Sequence, residues 1–422
     1  MKASRVHLSG KNAHCKGTIK LDGSKSISNR ALIIRTLCKE NFEIHNLSTS
    51  DDTVLMASLL EKDLEIYDVG HAGTTLRFLT SYLAFKEGSQ ILTGSERMKE
   101  RPIQALVEAL NEIGGNIEYL EKEGYPPLKI NAPSKKINYK VRINSTISSQ
   151  YVSSLLMIAP TLPNGLEIEL EGEIVSAPYI EMTLSMMHHF GIGYERSDQT
   201  IFISSQEYQG KDYWVEADWS AASYFYSLAS MREESNITLK GLLKDSIQGD
   251  AQMVEIGSKF GVNTAFDDEN QCIQIGSSKT IQATSFLEYN FMHHPDLAQT
   301  IFVMAACKGV KGLYSGLSSL RVKETDRLVA CMTELAKVHS YITRMPDRFS
   351  QSSGKEYFMQ EGEVSFDNIP IFDTYGDHRM AMAIAPMCLM SDIEINEPLV
   401  VSKSYPKFWN DLETLGININ FK

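Results

Sequence analysis

The sequence predicts a mixed α/β protein of two similar domains, each built from three strand–helix–strand–helix–strand–strand repeats. Three observations predict this. The chain has 422 residues, enough for two or three domains with cores of their own. A cluster of small and polar residues opens an apolar, helix-like run six times, at intervals of 47, 75, 72, 76 and 81 residues. Behind the openings recur an amphipathic helix, a glycine break and a stretch of alternating residues that reads as strand.

Ser26, Gly73, Ser148, Ser220, Asp296 and Asp377 begin the six openings. Ser, Thr and Asp are favoured helix N-caps because their side chains accept the unpaired N–H groups of a first turn. The breaks stand at Gly114, Gly191, Gly261 and Gly416. Glycine there suits a left-handed C-cap, and period-two alternation after it suits a half-buried strand. The complete repeat is about 75 residues long. The first is shorter: one helix, about Asp52 to Lys62, leaves little room for a following hairpin, which accounts for the 47-residue interval. The Met-rich run from Met380 to Met390, interrupted by Pro386, reads as core helix.

With 43% apolar and 22% charged residues the composition is that of an ordinary globular protein. A net charge of -12 opposes a broad nucleic-acid or anionic-membrane surface, which needs clustered Lys and Arg. It leaves room for a small cationic cleft. No apolar run approaches the ~20 residues of a membrane helix, and Met1 to Lys11 has no apolar core of a signal peptide. Cys15, Cys38, Cys272, Cys307, Cys331 and Cys388 show no CxxC spacing, which reads as free thiols in a reducing compartment. The expectation is a cytoplasmic protein without metal or cofactor.

Chemistry is concentrated in short basic motifs beside the helix openings, where unpaired N–H groups and partial positive charge make ready anion sites. Gly23-Ser24-Lys25-Ser26-Ile27-Ser28-Asn29-Arg30 brings a Lys, an Arg and three hydroxyls to a helix start, without the spacing of a nucleotide-hydrolase P-loop. Gly70-His71-Ala72-Gly73-Thr74-Thr75-Leu76-Arg77 offers a backbone that an anion can approach closely. Arg97 and Arg101 stand four apart, as do Lys323 and Arg327 with Glu324 and Asp326 between them. Each motif alone would be a solvated helix face with i,i+4 ion pairs. Their convergence would instead suit phosphate and carboxylate, the preferred partners of Arg.

Together the motifs GSKSISNRA, AGTTLRFL, LTGSERMKERPI, SSQY, LRVKETDRL, YGDHRMAMA and SKSYP, from about Gly23 to Pro406, resemble the EPSP synthase (3-phosphoshikimate 1-carboxyvinyltransferase) family in their order. The related UDP-N-acetylglucosamine enolpyruvyl transferases carry a loop Cys where this chain has Ser95 to Arg101 with none. The resemblance implies an inside-out α/β fold with domains at 14–216 and at 1–13 with 217–422, and an active site in the cleft between them. It implies a monomer that moves the enolpyruvyl group of phosphoenolpyruvate onto the 5-hydroxyl of shikimate 3-phosphate by addition–elimination, a step toward chorismate and the aromatic amino acids.

By the same resemblance Lys25, Ser26, Arg30, Ser148, Ser149, Gln150, Ser176, Tyr179, Asp296 and Lys323 would hold shikimate 3-phosphate. Lys25, Gly73, Arg101, Gln150, Arg327, Arg379 and Lys403 would hold phosphoenolpyruvate. Asp296, Glu324 and Lys25 would be catalytic, with Asp296 as proton acceptor and Glu324 as donor to C3. A carboxyl amid cations stays ionised unless burial or substrate anions raise its pKa. The chain departs from the common family pattern at His71, Phe78 and Ser319 and in the shortened first repeat.

Two histidine pairs, His188-His189 and His293-His294, invite a metal reading. Adjacent residues diverge on a helix and alternate on a strand, so neither makes a natural two-ligand site. A non-catalytic phosphosugar-binding relative would have lost Lys25, Asp296, Glu324 or Arg379, and all are present. A nucleic-acid end-processing enzyme of similar repeat build would need a basic groove, which the acidic balance opposes.

Overall fold

The polar openings become the starts of six helices: Lys25–Leu37, Gly73–Leu83, Ser149–Ile158, Trp219–Met231, Ala298–Lys308 and His378–Ile384. Each is buried along most of its length. The computed structural model describes residues 3–146, 148–278, 282–349 and 355–422. The chain divides into two units, Gly23–Val215 and Met1–Asp22 with Glu216–Lys422.

In Gly23–Val215 the first three of these helices pack against one another, and Ser81 Oγ donates to Ser154 Oγ at 2.9 Å between two of them. In the other unit the last three do the same, with Ser223 Oγ and Thr300 Oγ1 3.1 Å apart. Small hydroxyl residues let buried helices approach while each polar group keeps a partner.

Among the described residues five sheets have four strands, and each shows the predicted repeat. In Gly23–Val215, Ile66–Asp68 runs parallel to Ser89–Thr93, which pairs antiparallel with Leu128–Asn131, and that with Asn116–Tyr119. Lys140–Asn144, Leu166–Glu171, Thr200–Ile203 and Glu195–Ser197 repeat the order. In the other unit Phe286–Asn290, Lys311–Ser315, Phe358–Glu361 and Tyr341–Arg344 do likewise. The last repeat is completed by the start of the chain: Arg5–Ser9 lies between Ile393–Asn396 and Asn418–Phe421.

The short first repeat keeps a two-stranded parallel sheet, Ile44–His45 with Tyr213–Trp214, and has no hairpin after its helix Asp51–Leu60. Residues 14–22, expected with the N-terminal domain, group instead with Glu216–Lys422. The reason is that Lys16–Lys20 pairs in parallel with Asn236–Lys240. Gly114, Gly191, Gly261 and Gly416 all take positive φ, at 116°, 86°, 82° and 89°.

Side-chain capping is found at Ser148, Asp218 and Asp377, which accept from the N–H of Gln150, Ala221 and Arg379. Ser220, read as an opening, lies inside the first turn that Asp218 caps. Asp296 lies in a 3-10 turn, Pro295–Leu297, that leads into its helix. The Met-rich run is buried core from Met380 to Leu389 and surfaces at Met390, but its α-helix stops at Ile384 and continues as a 3-10 turn around Pro386, which removes a backbone donor.

Candidate active site

Within Gly23–Val215 four helix starts are tied together. Lys25 begins its helix and places Nζ 3.1 Å from Asp52 Oδ2. Thr75 Oγ1 donates to the Asp52 carbonyl at 3.4 Å. Its neighbour Thr74 accepts from Gln150 Nε2 at 3.1 Å, which brings in the helix that Ser148 caps. Lys25, Gly73 and Gln150 are thereby collected beside N–H groups that favour negative charge.

Gly73 has no side chain for a spatial reason. A Cβ there would stand 2.4 Å from Arg101 Nη1 and 2.8 Å from Arg77 Nη1. Both arginines are buried. Arg77 Nη1 donates back to the Gly73 carbonyl at 2.9 Å, and its Cζ lies 5.7 Å from the Tyr151 ring centre. The Tyr151 hydroxyl in turn donates to the Pro102 carbonyl at 2.5 Å, fixing the chain just after Arg101. Arg97, four residues earlier, is an exposed ion pair with Glu100 at 2.7 Å, so the two arginines of that motif serve different ends.

Arg30 is buried, and its donors meet protein oxygens. Nε reaches Thr183 Oγ1 at 2.7 Å, Nη1 the Ser26 carbonyl at 2.9 Å, and Nη2 both Ser153 Oγ at 3.0 Å and the Tyr179 carbonyl at 3.3 Å. Phe78 and Tyr179 set their rings 5.4 and 5.8 Å from its Cζ. Burial pushes the guanidinium down to about 10, still charged at neutral pH. Ser149 and Ser176 are buried, Ser176 with φ of 59° where it enters the helix Ala177–His189.

The other unit centres on Arg327. This buried guanidinium donates from Nη1 to Asp296 Oδ1 at 2.9 Å, from Nη2 to Glu324 Oε2 at 2.7 Å, and from Nε to Asp377 Oδ2 at 2.7 Å. Burial works against its charge, and the three carboxylates outweigh it and hold its pKa above the ordinary value. Arg379 Nη2 lies 3.1 Å from Asp296 Oδ2, and Lys323 Nζ 3.9 Å from Oδ1. Lys403 Nζ donates to the Gly376 carbonyl at 2.8 Å. Lys323 and Arg327 do not share a helix: Lys323 is extended, and Asp326 caps the helix Arg327–Ala336.

Several participants escaped the sequence reading: Asp52, Arg77, Asp377 as ion-pair partner, and a carboxyl behind Asp296. Asp250 is buried, accepts from Ser220 Oγ, and is pushed up to about 7 by burial and by the Asp296 charge. Asp250 and Ser220 stand in the segments Ser246–Gly249 leads into and Asp218 caps, where an acidic residue gave no motif of its own. His71 is bonded to Ser95 Oγ at 2.9 Å, the residue that caps Glu96–Lys99. His294 faces the Tyr289 hydroxyl at 2.8 Å, and burial drives it down to about 4. Among the described residues no group of three or more His, Cys, Asp or Glu is placed to hold a metal ion. None of their helices is long and apolar enough to cross a membrane.

Repeat-built α/β units with cations gathered at buried helix starts and around paired carboxylates define a class of small-anion enzymes. The sequence profile described as EPSP synthase (3-phosphoshikimate 1-carboxyvinyltransferase) matches residues 10–66 and 60–412. A Bacteroides fragilis protein named 3-phosphoshikimate 1-carboxyvinyltransferase is 44% identical over 406 residues, covering 96% of each chain. One of the same name from Colwellia psychrerythraea is 37% identical over 427 residues, covering 94% of this chain and 96% of its own. The solved EPSP synthase of Acinetobacter baumannii shares the fold with a TM-score of 0.77 at 18% identity, covering 99% of both chains. This chain belongs to the EPSP synthase family.

Proposed function

We propose that this chain transfers the enolpyruvyl group of phosphoenolpyruvate to the 5-hydroxyl of shikimate 3-phosphate. The observation that carries the reading is the pair of carboxylates on one guanidinium. Asp296 and Glu324 occupy neighbouring nitrogens of Arg327, at 2.9 and 2.7 Å.

The reaction needs a proton removed at one point and delivered at another close by. Asp296 takes the 5-hydroxyl proton as that oxygen attacks C2 of phosphoenolpyruvate, and Glu324 protonates C3, giving a tetrahedral intermediate. In the second half the C2–O bond to phosphate breaks, the C3 proton returns to Glu324, and the enol ether forms. Lys25, Arg101, Arg327, Arg379 and Lys403 hold the phosphate and carboxylate and offset the charge that grows on the leaving group. Ser26, Arg30, Ser148, Ser149, Gln150, Ser176, Tyr179 and Lys323 hold shikimate 3-phosphate, Arg30 chiefly by binding the helices that carry the others.

A phosphate-release assay tests the reading. Phosphate is expected only when shikimate 3-phosphate and phosphoenolpyruvate are supplied together. Release with UDP-N-acetylglucosamine as acceptor, or from phosphoenolpyruvate alone, sinks it.

A further inference from the structure

Glu334 lies outside every motif that the sequence singles out, yet it is a carboxylate with only 1% of its surface exposed. Such a group is costly unless its oxygens are satisfied. Oε2 accepts from Lys337 Nζ at 2.7 Å and from the Asp373 N–H at 3.0 Å, and Oε1 from the Tyr375 hydroxyl at 2.6 Å. Two of these three donors belong to one loop, residues 373–377. We infer that Glu334 is a positioning residue: through Tyr375 and the Asp373 backbone it registers this loop on the Arg327 helix, and so sets Lys403 and Arg379 for phosphoenolpyruvate. The inference rests on the substrate reading above.

The loop needs such a brace. Tyr375 and Gly376 are consecutive left-handed residues, with φ of 53° and 66°. For a tyrosine that conformation is strained and persists only where surroundings hold it. Burial of the ring does not supply the hold, since Tyr375 is 41% exposed. The strained turn presents the Gly376 carbonyl to Lys403 Nζ at 2.8 Å. It also delivers Asp377, whose carboxylate caps the Arg379 N–H at 2.9 Å and receives Arg327 Nε at 2.7 Å. Arg327 and Glu334 are seven residues apart on one helix, Arg327–Ala336. That is about two turns, or roughly 10 Å along the same face. One helix thus grips the loop at both ends, by a cation at Asp377 and an anion at Asp373 and Tyr375.

Tyr375→Phe removes one bond and leaves the ring in place; Glu334→Gln leaves the shape but turns one acceptor into a donor. Steady-state kinetics on both, with melting temperature measured alongside, separate positioning from mere structure. Tyr375→Phe should raise the KM for phosphoenolpyruvate roughly three- to tenfold, the scale of one lost hydrogen bond. The KM for shikimate 3-phosphate should stay within about twofold of wild type, since the loop sets Lys403 and Arg379, which serve phosphoenolpyruvate. Glu334→Gln should act in the same direction and at least as strongly, since it also alters the Asp373 contact, and the double variant should add little to it, because Tyr375 acts through Glu334. Lower Vmax with both KM values unchanged, or equal rises in both, overturns the inference. Wild-type enzyme runs in the same assay: if it turns over and Tyr375→Phe leaves the phosphoenolpyruvate KM alone, only this inference fails. If the wild type does not turn over, the substrate reading falls and the inference with it.

Discussion

At the scale of residues, the chain keeps charge inside itself by different devices. Arg327 is balanced by three carboxylates, while Arg30 has hydroxyls, carbonyls and two ring faces. Glu216 is a carboxyl of a third kind: it is buried, with Ser246 Oγ donating to Oε1 at 2.9 Å. Burial pushes it up from 4.5 to about 7. Its pKa is higher folded than unfolded, so between those two values the folded state binds more protons, and stability falls as pH rises through that window. Glu216→Gln should therefore gain little near about pH 4 and on the order of 3 kcal/mol near about pH 8 in urea unfolding. Parallel profiles for the two proteins would contradict this. The cations of the site were legible because they stand in dense local motifs. Their partners were not: Arg327 meets Asp377 fifty residues on, and Lys25 meets Asp52 twenty-seven on, with nothing local to mark either.

Elements were legible wherever a local conformational demand left a residue type behind. All four glycine breaks take positive φ, and the missing hairpin of the first repeat followed from chain length alone. Strand pairing was less legible. Arg5–Ser9 completes a sheet with strands near the other end of the chain, a register no local pattern encodes. Helix starts were legible to within a turn, since Ser220 and Asp218 are both good caps and only the backbone decides between them. The start of Gly73–Leu83 has no capping side chain, and the space is filled by Arg101 and Arg77. Gly73→Ala should push the Arg101 guanidinium aside, because the flexible side chain yields before the backbone does. The expected result is a phosphoenolpyruvate KM raised roughly tenfold, as for one weakened charge-assisted hydrogen bond. Affinity for shikimate 3-phosphate and melting temperature should be nearly unchanged, and an unaltered phosphoenolpyruvate KM would count against Arg101 as its ligand.

Across the whole molecule, a net charge of -12 coexists with lysines and arginines gathered at the buried helix starts of each unit. The chain enters Gly23–Val215 once and leaves it once; just before it enters, Lys16–Lys20 pairs with Asn236–Lys240, and just before it leaves, Tyr213–Trp214 pairs with Ile44–His45. The first of these pairings groups residues 14–22 with Glu216–Lys422, so the unit ends after Asp22 where residue 13 was expected. Enolpyruvyl transfer requires that the 5-hydroxyl add to C2 and that phosphate leave with its bridging oxygen. Phosphoenolpyruvate carrying a heavy-oxygen label at that bridge tests it directly, with phosphorus NMR as the readout. In the presence of shikimate 3-phosphate the label should appear wholly in the released phosphate, because the C–O bond is the one that breaks. Label retained in a carbon product would mean cleavage of the P–O bond, and would contradict enolpyruvyl transfer by this chain.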